Sequence, residues 1–363
     1  MSSTFGKNIK ISVFGQSHSD AIGVVIDGLP SGEPIDTDEL AAFMSRRAPS
    51  GAAYSTARRE SDIPKIVSGL FDRRDGGATL HTCGAPLCAI IGNSDTRSSD
   101  YSEIKDKPRP GHADLTAFLR YGEWRDYRGG GHFSGRLTAP LCVAGGICIQ
   151  LLRRKGVHIG AHISSLCGIA DTPYDPVKLT PADLESNHAD FPVRSATASE
   201  KMNRLIADCK AVGDSVGGII ECGVVGFPGG IGDPMFDGLE NRLSAALFAI
   251  PAVKGVEFGA GFAVGSMKGS ENNDCFRMEN GEITCITNNA GGIAGGISTG
   301  MPIIFRIAVK PTPSIAIGQQ TVSLSEKTDC ILNIKGRHDP CILPRAVPVA
   351  EAVCAIVLAD FLL

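Results

Sequence analysis

Residues 137–154 read LTAPLCVAGGICIQLLRR. The stretch has a helical pattern, yet it is apolar on nearly every face until Arg153 and Arg154. A surface helix keeps a polar side; one that is apolar all round belongs between other layers. Working outward, β-branched or alternating runs at 9–14, 22–26, 86–91, 157–163, 218–225, 256–262, 302–309 and 330–334 read as strands. Helical patterns fall at 37–46, 198–212, 236–250 and 349–362, and Asp36, Thr37 and Asp38 offer N-cap chemistry to the first of these. Strands and helices interleave, which implies layers of helix and sheet. No long linker divides the chain, and 73–77 and 171–189 read as surface loops. The expectation is one domain over 1–363.

An internal echo joins the two halves. VVIDGLPSGEPIDTDELAAFMSR from Val24 parallels GVVGFPGGIGDPMFDGLENRLSAALFA from Gly223. Each holds a valine-rich strand, a Gly-x-Pro turn, a further proline and an amphipathic helix. The pattern fits an internal duplication related by pseudo-symmetry; chance similarity of turn-rich sequence fits it as well.

With 363 residues and 43% hydrophobic content the chain can bury a sizeable core. A net charge of −4 excludes a global basic field, so no nucleic-acid partner is expected. No apolar run is expected to reach a membrane span, the N-terminus lacks a signal-peptide core, and the expected location is cytoplasmic. The twelve cysteines show no C-x-x-C spacing and read as reduced core residues, with no metal site.

Chemistry concentrates in five segments. Residues 109–138, RPGHADLTAFLRYGEWRDYRGGGHFSGRLT, carry arginines, His112, His132 and three consecutive glycines. Arginines grip phosphate and carboxylate, glycines admit a bulky ligand to the backbone, and histidine carries a proton near neutral pH. Gly15-Gln16-Ser17-His18 follows a strand, where His18 could protonate a leaving phosphate or be a loop histidine without a role. Arg46-Arg47 and Arg58-Arg59 flank a Ser/Thr-bearing loop, and one arginine of each pair reads as a solvated helix end. Residues 291–300, GGIAGGISTG, precede a strand and then Lys310-Pro311-Thr312-Pro313-Ser314, either a loop or a preorganised ligand cradle. Lys335-Gly336-Arg337-His338-Asp339 enters the last helix as a ligand clamp or an internal salt bridge.

Taken together, PGHAD, YRGGG, NNAGGIAGGISTG, KPTPS and KGRHDPC resemble the chorismate synthase family over nearly the whole chain. That resemblance implies an α+β fold, a single layered β-α-β sandwich with helices between antiparallel sheets, assembled as a homotetramer. It implies conversion of 5-enolpyruvylshikimate 3-phosphate to chorismate and phosphate with reduced FMN and no net redox change. By position, His18 matches the acid at the leaving phosphate, His112 the histidine beside the flavin ring, and Asp339 the aspartate that helps flavin N5 take the substrate proton. Ser17, Arg47, Arg109, Arg136 and Arg337 match substrate contacts. Flavin contacts map to His132, Phe133, Ser134, Pro251, Ala252, Gly295, Lys310, Pro311, Thr312, Pro313, Ser314 and Arg337.

The sequence also departs from the family pattern. Gln16 and Ser19 stand where Glu and Gly are usual, and His132 and Gly135 replace Arg and Ala. Arg47 and Ala53 fall where the family meets NADPH. An arginine is frequent at position 53, so alanine there argues against nicotinamide binding and for an external flavin reductase. These changes leave a second expectation open, a flavin- or phosphoester-binding protein without catalysis.

Overall fold

The apolar strand runs pair into two five-stranded antiparallel sheets. The structure, a computed structural model, describes residues 3–49, 62–72, 79–93, 103–185, 191–334 and 339–363. Strand order in the first sheet is Thr4–Phe5, Lys10–Gly15, Ala21–Asp27, Leu87–Gly92, Lys65–Ser68. In the second it is Ile169–Ala170, His158–Leu166, Gly218–Val225, Ile303–Val309, Val253–Phe258. Helices Thr138–Arg154 and Leu343–Leu362 fill the space between, flanked by Thr37–Arg47 and Leu239–Leu247. This is the expected α+β sandwich.

The halves repeat one topology. In each, the second strand leads to the central strand, then to a short helix, the far edge strand, the strand inserted beside the centre, and a long buried helix. The echo at Val24 and Gly223 falls on the same step of both: central strand, turn, helix. A duplication accounts for this coincidence, although the edge strand Ile169–Ala170 and two helices come between the second and central strands of the second half only.

The two long helices touch closely. A Cβ on Gly145 would lie 2.3 Å from the Cα of Ala352, so only glycine permits this spacing. Two carboxylates on the otherwise apolar last helix fasten other elements to it. Glu351, 1% exposed, takes Arg46 at 2.6 and 2.8 Å and the Ala161 amide at 3.0 Å. Asp360 accepts the amides of Lys7, Asn8 and Ile9, together with the Arg242 guanidinium. At the other end, Asp36 caps Thr37–Arg47 as expected, accepting the Asp38 and Glu39 amides at 2.9 Å.

Three expectations are corrected. The last helix starts at Leu343, not 349: Pro344 sits in the first turn, where no amide is needed, and burial outweighs the bond that Pro348 forfeits. Gly135–Arg154 does reach the length and hydropathy of a membrane span, and here it is buried between the sheets. The strand expected over 256–262 is Val253–Phe258, ending at Gly259, whose φ is 54°. The expected loop at 73–77 lies outside the described residues, and the one at 171–189 contains a short helix, Pro181–Glu185.

On the outer face of the second sheet, the fully buried His162 ring lies between Asp171 (Nδ1–Oδ2 3.0 Å) and Glu221 (Nε2–Oε2 3.1 Å). The Tyr174 ring meets it edge-on, Arg194 stacks on Tyr174, and Arg306 joins Glu221 to Glu257. Burial alone would lower the His162 pKa; hydrogen bonds and charge from the two carboxylates outweigh it and raise it above the usual 6.5. A raised pKa gives stability that is complete below about pH 6.5 and fades as pH climbs through the folded value. Asp171 and Glu221 are held below their usual range, so their share fades instead towards acid. His162→Gln should therefore cost about 3–5 kcal/mol near pH 6. In urea unfolding curves that deficit should shrink as pH rises above the usual histidine range; a constant deficit would mean a neutral ring.

Candidate active site

Both long helices begin at one cavity. It holds about 660 Å³ and is lined by Arg136 and Thr138 at the start of one helix and by Ile342, Arg345 and Ala346 at the start of the other. Helix N-termini present positive potential to an anion. The volume lies within the usual range of ligand sites, about 300–1,000 Å³.

Cations dominate the wall. Arg47, Arg136, Lys254, Lys310 and Arg345 all line it, in a chain whose net charge is −4. Arg345 reaches Asp339 at 3.0 Å and the Arg47 carbonyl at 2.9 Å. Lys254 and Lys310 make no ion pair among the described residues. Burial first, then the Lys254 and Arg109 charges, lower the Lys310 pKa. Among the described residues the buried Thr312 Oγ1 has no hydrogen-bond partner, an unmet polar group in the wall of a cation-rich cavity. Ala252 holds φ at 77°, a strained value for a residue with a Cβ, where the backbone forms the wall.

The triglycine brings two loops together. Gly129, Gly130 and Gly131 all have positive φ. Ser17 donates its amide to the Gly131 carbonyl at 3.1 Å. A Cβ on Gly129 would lie 2.5 Å from Ser17 Oγ and 2.7 Å from His18 Cδ2; one on Gly130 would lie 3.0 Å from His112 Cε1. Gly129 thus lines the cavity, with Ser17 and His18 packed against it.

His112 is oriented by Asp114. Its Nδ1 lies 2.7 Å from Asp114 Oδ1, while Asp114 also takes Arg109 at 2.7 and 2.9 Å. Burial would raise the Asp114 pKa, but the Arg109 and His112 bonds hold it far below the usual range. An ionised Asp114 accepts from His112 Nδ1–H, while Nε2 lies 3.3 Å from Arg109 Nη2 and against Gly130.

The other expected residues divide. His112, His132, Phe133, Ser134, Arg47, Arg136, Pro251, Ala252, Lys310, Thr312, Pro313, Ser314 and Asp339 line the cavity. Arg109 does not: its nitrogens go to Asp114, Ser314 and the His112 ring, so here it braces the wall. Pro311 packs behind, on Gly217. Gly295 lies in the hairpin turn between Ile293–Ala294 and Ile297–Ser298, away from the cavity lining. Arg337, Ala53, Arg58 and Arg59 are outside the described residues.

The departures have local roles. His132 binds the Gly15 carbonyl at 2.7 Å and Ser3 Oγ at 2.9 Å, so both ring nitrogens fasten the N-terminal strands to the triglycine. Ser19 Oγ donates to the Gln16 and Ala21 carbonyls and tightens the His18 loop. Asn93 bonds the Gln16 and Ser19 carbonyls while its Oδ1 accepts Arg136 Nε at 3.1 Å. Four cavity-region residues escaped the sequence reading: Asp62, Asn93, Lys254 and Arg345. Only Arg345 carried a signal, a charge in an apolar run.

A family model described as chorismate synthase matches residues 9–363. The chain belongs to the chorismate synthase family. A chorismate synthase of Methanosarcina acetivorans is 49% identical over 361 residues, covering 99% of this chain and 95% of its own. One from Dehalococcoides mccartyi is 46% identical over 366 residues, covering 100% and 97%. A crystal structure of chorismate synthase superposes with a TM-score of 0.74 at 26% identity, covering 99% of this chain and 92% of that one. The five motifs and the layered fold thus point to the same family.

The triglycine geometry is testable. Gly129→Ala should lose about 1–2 kcal/mol from the left-handed backbone alone, and more from the collision with Ser17 and His18. Gly269→Ala, with nothing within 4 Å of an added Cβ, should be close to neutral. Equal unfolding midpoints for the two variants would contradict the packing described.

Proposed function

We propose that the cavity binds 5-enolpyruvylshikimate 3-phosphate beside reduced FMN and eliminates phosphate to give chorismate. The observation that carries this reading is the gathering of five cations and His112 around one cavity in an acidic protein. A substrate with a phosphate and two carboxylates needs such a wall.

The residues present suit the cofactor. The Thr312 hydroxyl and Lys310, neither of them paired among the described residues, and the strained Ala252 backbone offer polar contacts to a flavin or its phosphate. Phe133 and Pro251 offer apolar faces to a planar ring. When bound, reduced FMN supplies the transient electron density that lets proton and phosphate leave non-adjacent carbons.

The chain's own groups do the rest. Arg47, Arg136 and Arg345 hold anionic groups and stabilise the charge that grows on the departing phosphate oxygens. Each such donor is worth roughly 10²–10³ in rate. His112 lines the cavity with Nδ1 held by Asp114, and there its ring can hold or pass a proton. His18 packs behind the cavity-lining Gly129 and does not itself line the cavity; its role as the acid at the leaving phosphate is assigned on the family likeness. Asp339, paired with Arg345, is the cavity carboxylate placed to help relay the substrate proton. We assign the homotetramer on the family likeness, the external flavin reductase on Ala53, and the cytoplasmic location on the sequence reading.

Purified chain with chemically reduced FMN, kept anaerobic, should convert the substrate to chorismate, followed by its ultraviolet absorbance. Flavin and substrate binding without turnover would instead identify a protein that has lost catalysis. His112→Ala should lower kcat by about 10²-fold or more while substrate affinity changes little. Unchanged kcat would remove His112 from the mechanism. Adding NADPH in place of the chemical reductant should give no turnover unless a flavin reductase is also supplied.

A further inference from the structure

Asp62 is the most confined carboxylate beside the cavity. Its side chain is 0% exposed, and its oxygens accept from two different arginines, Oδ2 from Arg47 Nη1 and Oδ1 from Arg136 Nη1. Both arginines line the cavity; Asp62 does not. The carboxylate therefore sits behind the pair, on the side away from a ligand.

We propose that Asp62 is a positioning residue for anion recognition: its carboxylate fixes the spacing of the Arg47 and Arg136 guanidinium groups so that both face one anionic group in the cavity. This rests on the reading of the cavity as a substrate site and adds a residue to it.

Two adjacent guanidinium groups repel, and long side chains lose entropy when held still. A shared counter-charge offsets both costs. The remaining contacts complete the clamp. Arg47 gives Nε to Thr138 Oγ1 and Nη2 to the Gly135 carbonyl, both at 3.1 Å. Arg136 gives Nε to Asn93 and Nη2 to the Gly92 carbonyl. Asp62 also holds φ at 50°, in the left-handed region, a local cost retained where it sets this carboxylate in place. Burial would raise its pKa, yet the Arg47 and Arg136 charges and hydrogen bonds bring it below the usual range, so the carboxylate is ionised at neutral pH.

The contrary role is a stand-in anion that substrate displaces. A displaced group must reach the cavity, and Asp62 neither lines it nor touches solvent. The two roles predict opposite signs. Removing a competing negative charge tightens anion binding, whereas removing a spacer loosens it.

The test uses the full chain with Asp62→Asn, measured in the anaerobic assay and, without flavin, by calorimetric titration with inorganic phosphate. The substrate kcat/KM should fall by about tenfold or more, because the pair that Asp62 spaces both holds the anion and stabilises the departing phosphate. Phosphate affinity should fall in parallel, and FMN affinity should hold. A merely structural residue would instead weaken FMN binding along with phosphate binding. If Asp62→Asn does not fold, Asp62→Glu keeps the charge, moves it by one methylene, and should shift kcat/KM and phosphate affinity in the same direction. Unchanged or tighter binding in the folded variant overturns the proposal. If the wild-type chain makes no chorismate but Asp62→Asn still weakens phosphate binding, the reaction assignment fails and the role of Asp62 stands. A wild-type chain that holds neither substrate nor phosphate overturns both.

Discussion

The fold hangs on the contact between the two buried helices at Gly145 and Ala352. With no side chain on one partner the helices meet at backbone distance, and dispersion between close-packed surfaces replaces hydration. Once they pack this closely between the sheets, their starts open on one cavity. Arg136 and Thr138 arrive from one helix, Arg345 and Ala346 from the other. Helix packing and site assembly are thus one event, and each half of the duplicated topology supplies one helix to it.

Charge shapes the rest. The core admits carboxylates only where several donors meet them: Glu351 with Arg46 and a backbone amide, Asp360 with three amides and Arg242, Asp62 with two arginines, Asp114 with Arg109 and His112. Each removes an orphan charge that low-dielectric surroundings would penalise heavily. Glu351 and Asp360 hold elements together. Asp62 and Asp114 do something more selective: each stands behind a group that lines the cavity and sets its direction. Cations that a ligand can use keep one face to the cavity, while the braced Arg109 has none to spare.

Much of this was legible beforehand. The all-round apolarity of 137–154 placed that helix inside, the Val24 and Gly223 echo marked the duplication, and GGG beside arginines marked the site. Short-range rules suffice there, because periodicity and glycine content follow from neighbouring residues. Proline at 348 misled, since local chemistry favours a break and only burial overrides it. Asp62 gave no signal, because an aspartate beside a Ser/Thr loop looks like any surface charge until two arginines from other segments close on it.

The sequence by itself determined the family, the layered α+β architecture and the identity of most cavity residues, because these are written in local patterns and in strings of rare combinations. Tertiary structure alone decided which cations face the cavity and which are spent inside. Arg109 and Arg136 are the same residue type in the same segment. One turns into Asp114 and Ser314; the other lines the cavity with Asp62 behind it. A guanidinium goes where its strongest accessible counter-charge lies, and that partner is brought within reach only when distant parts of the chain fold against one another.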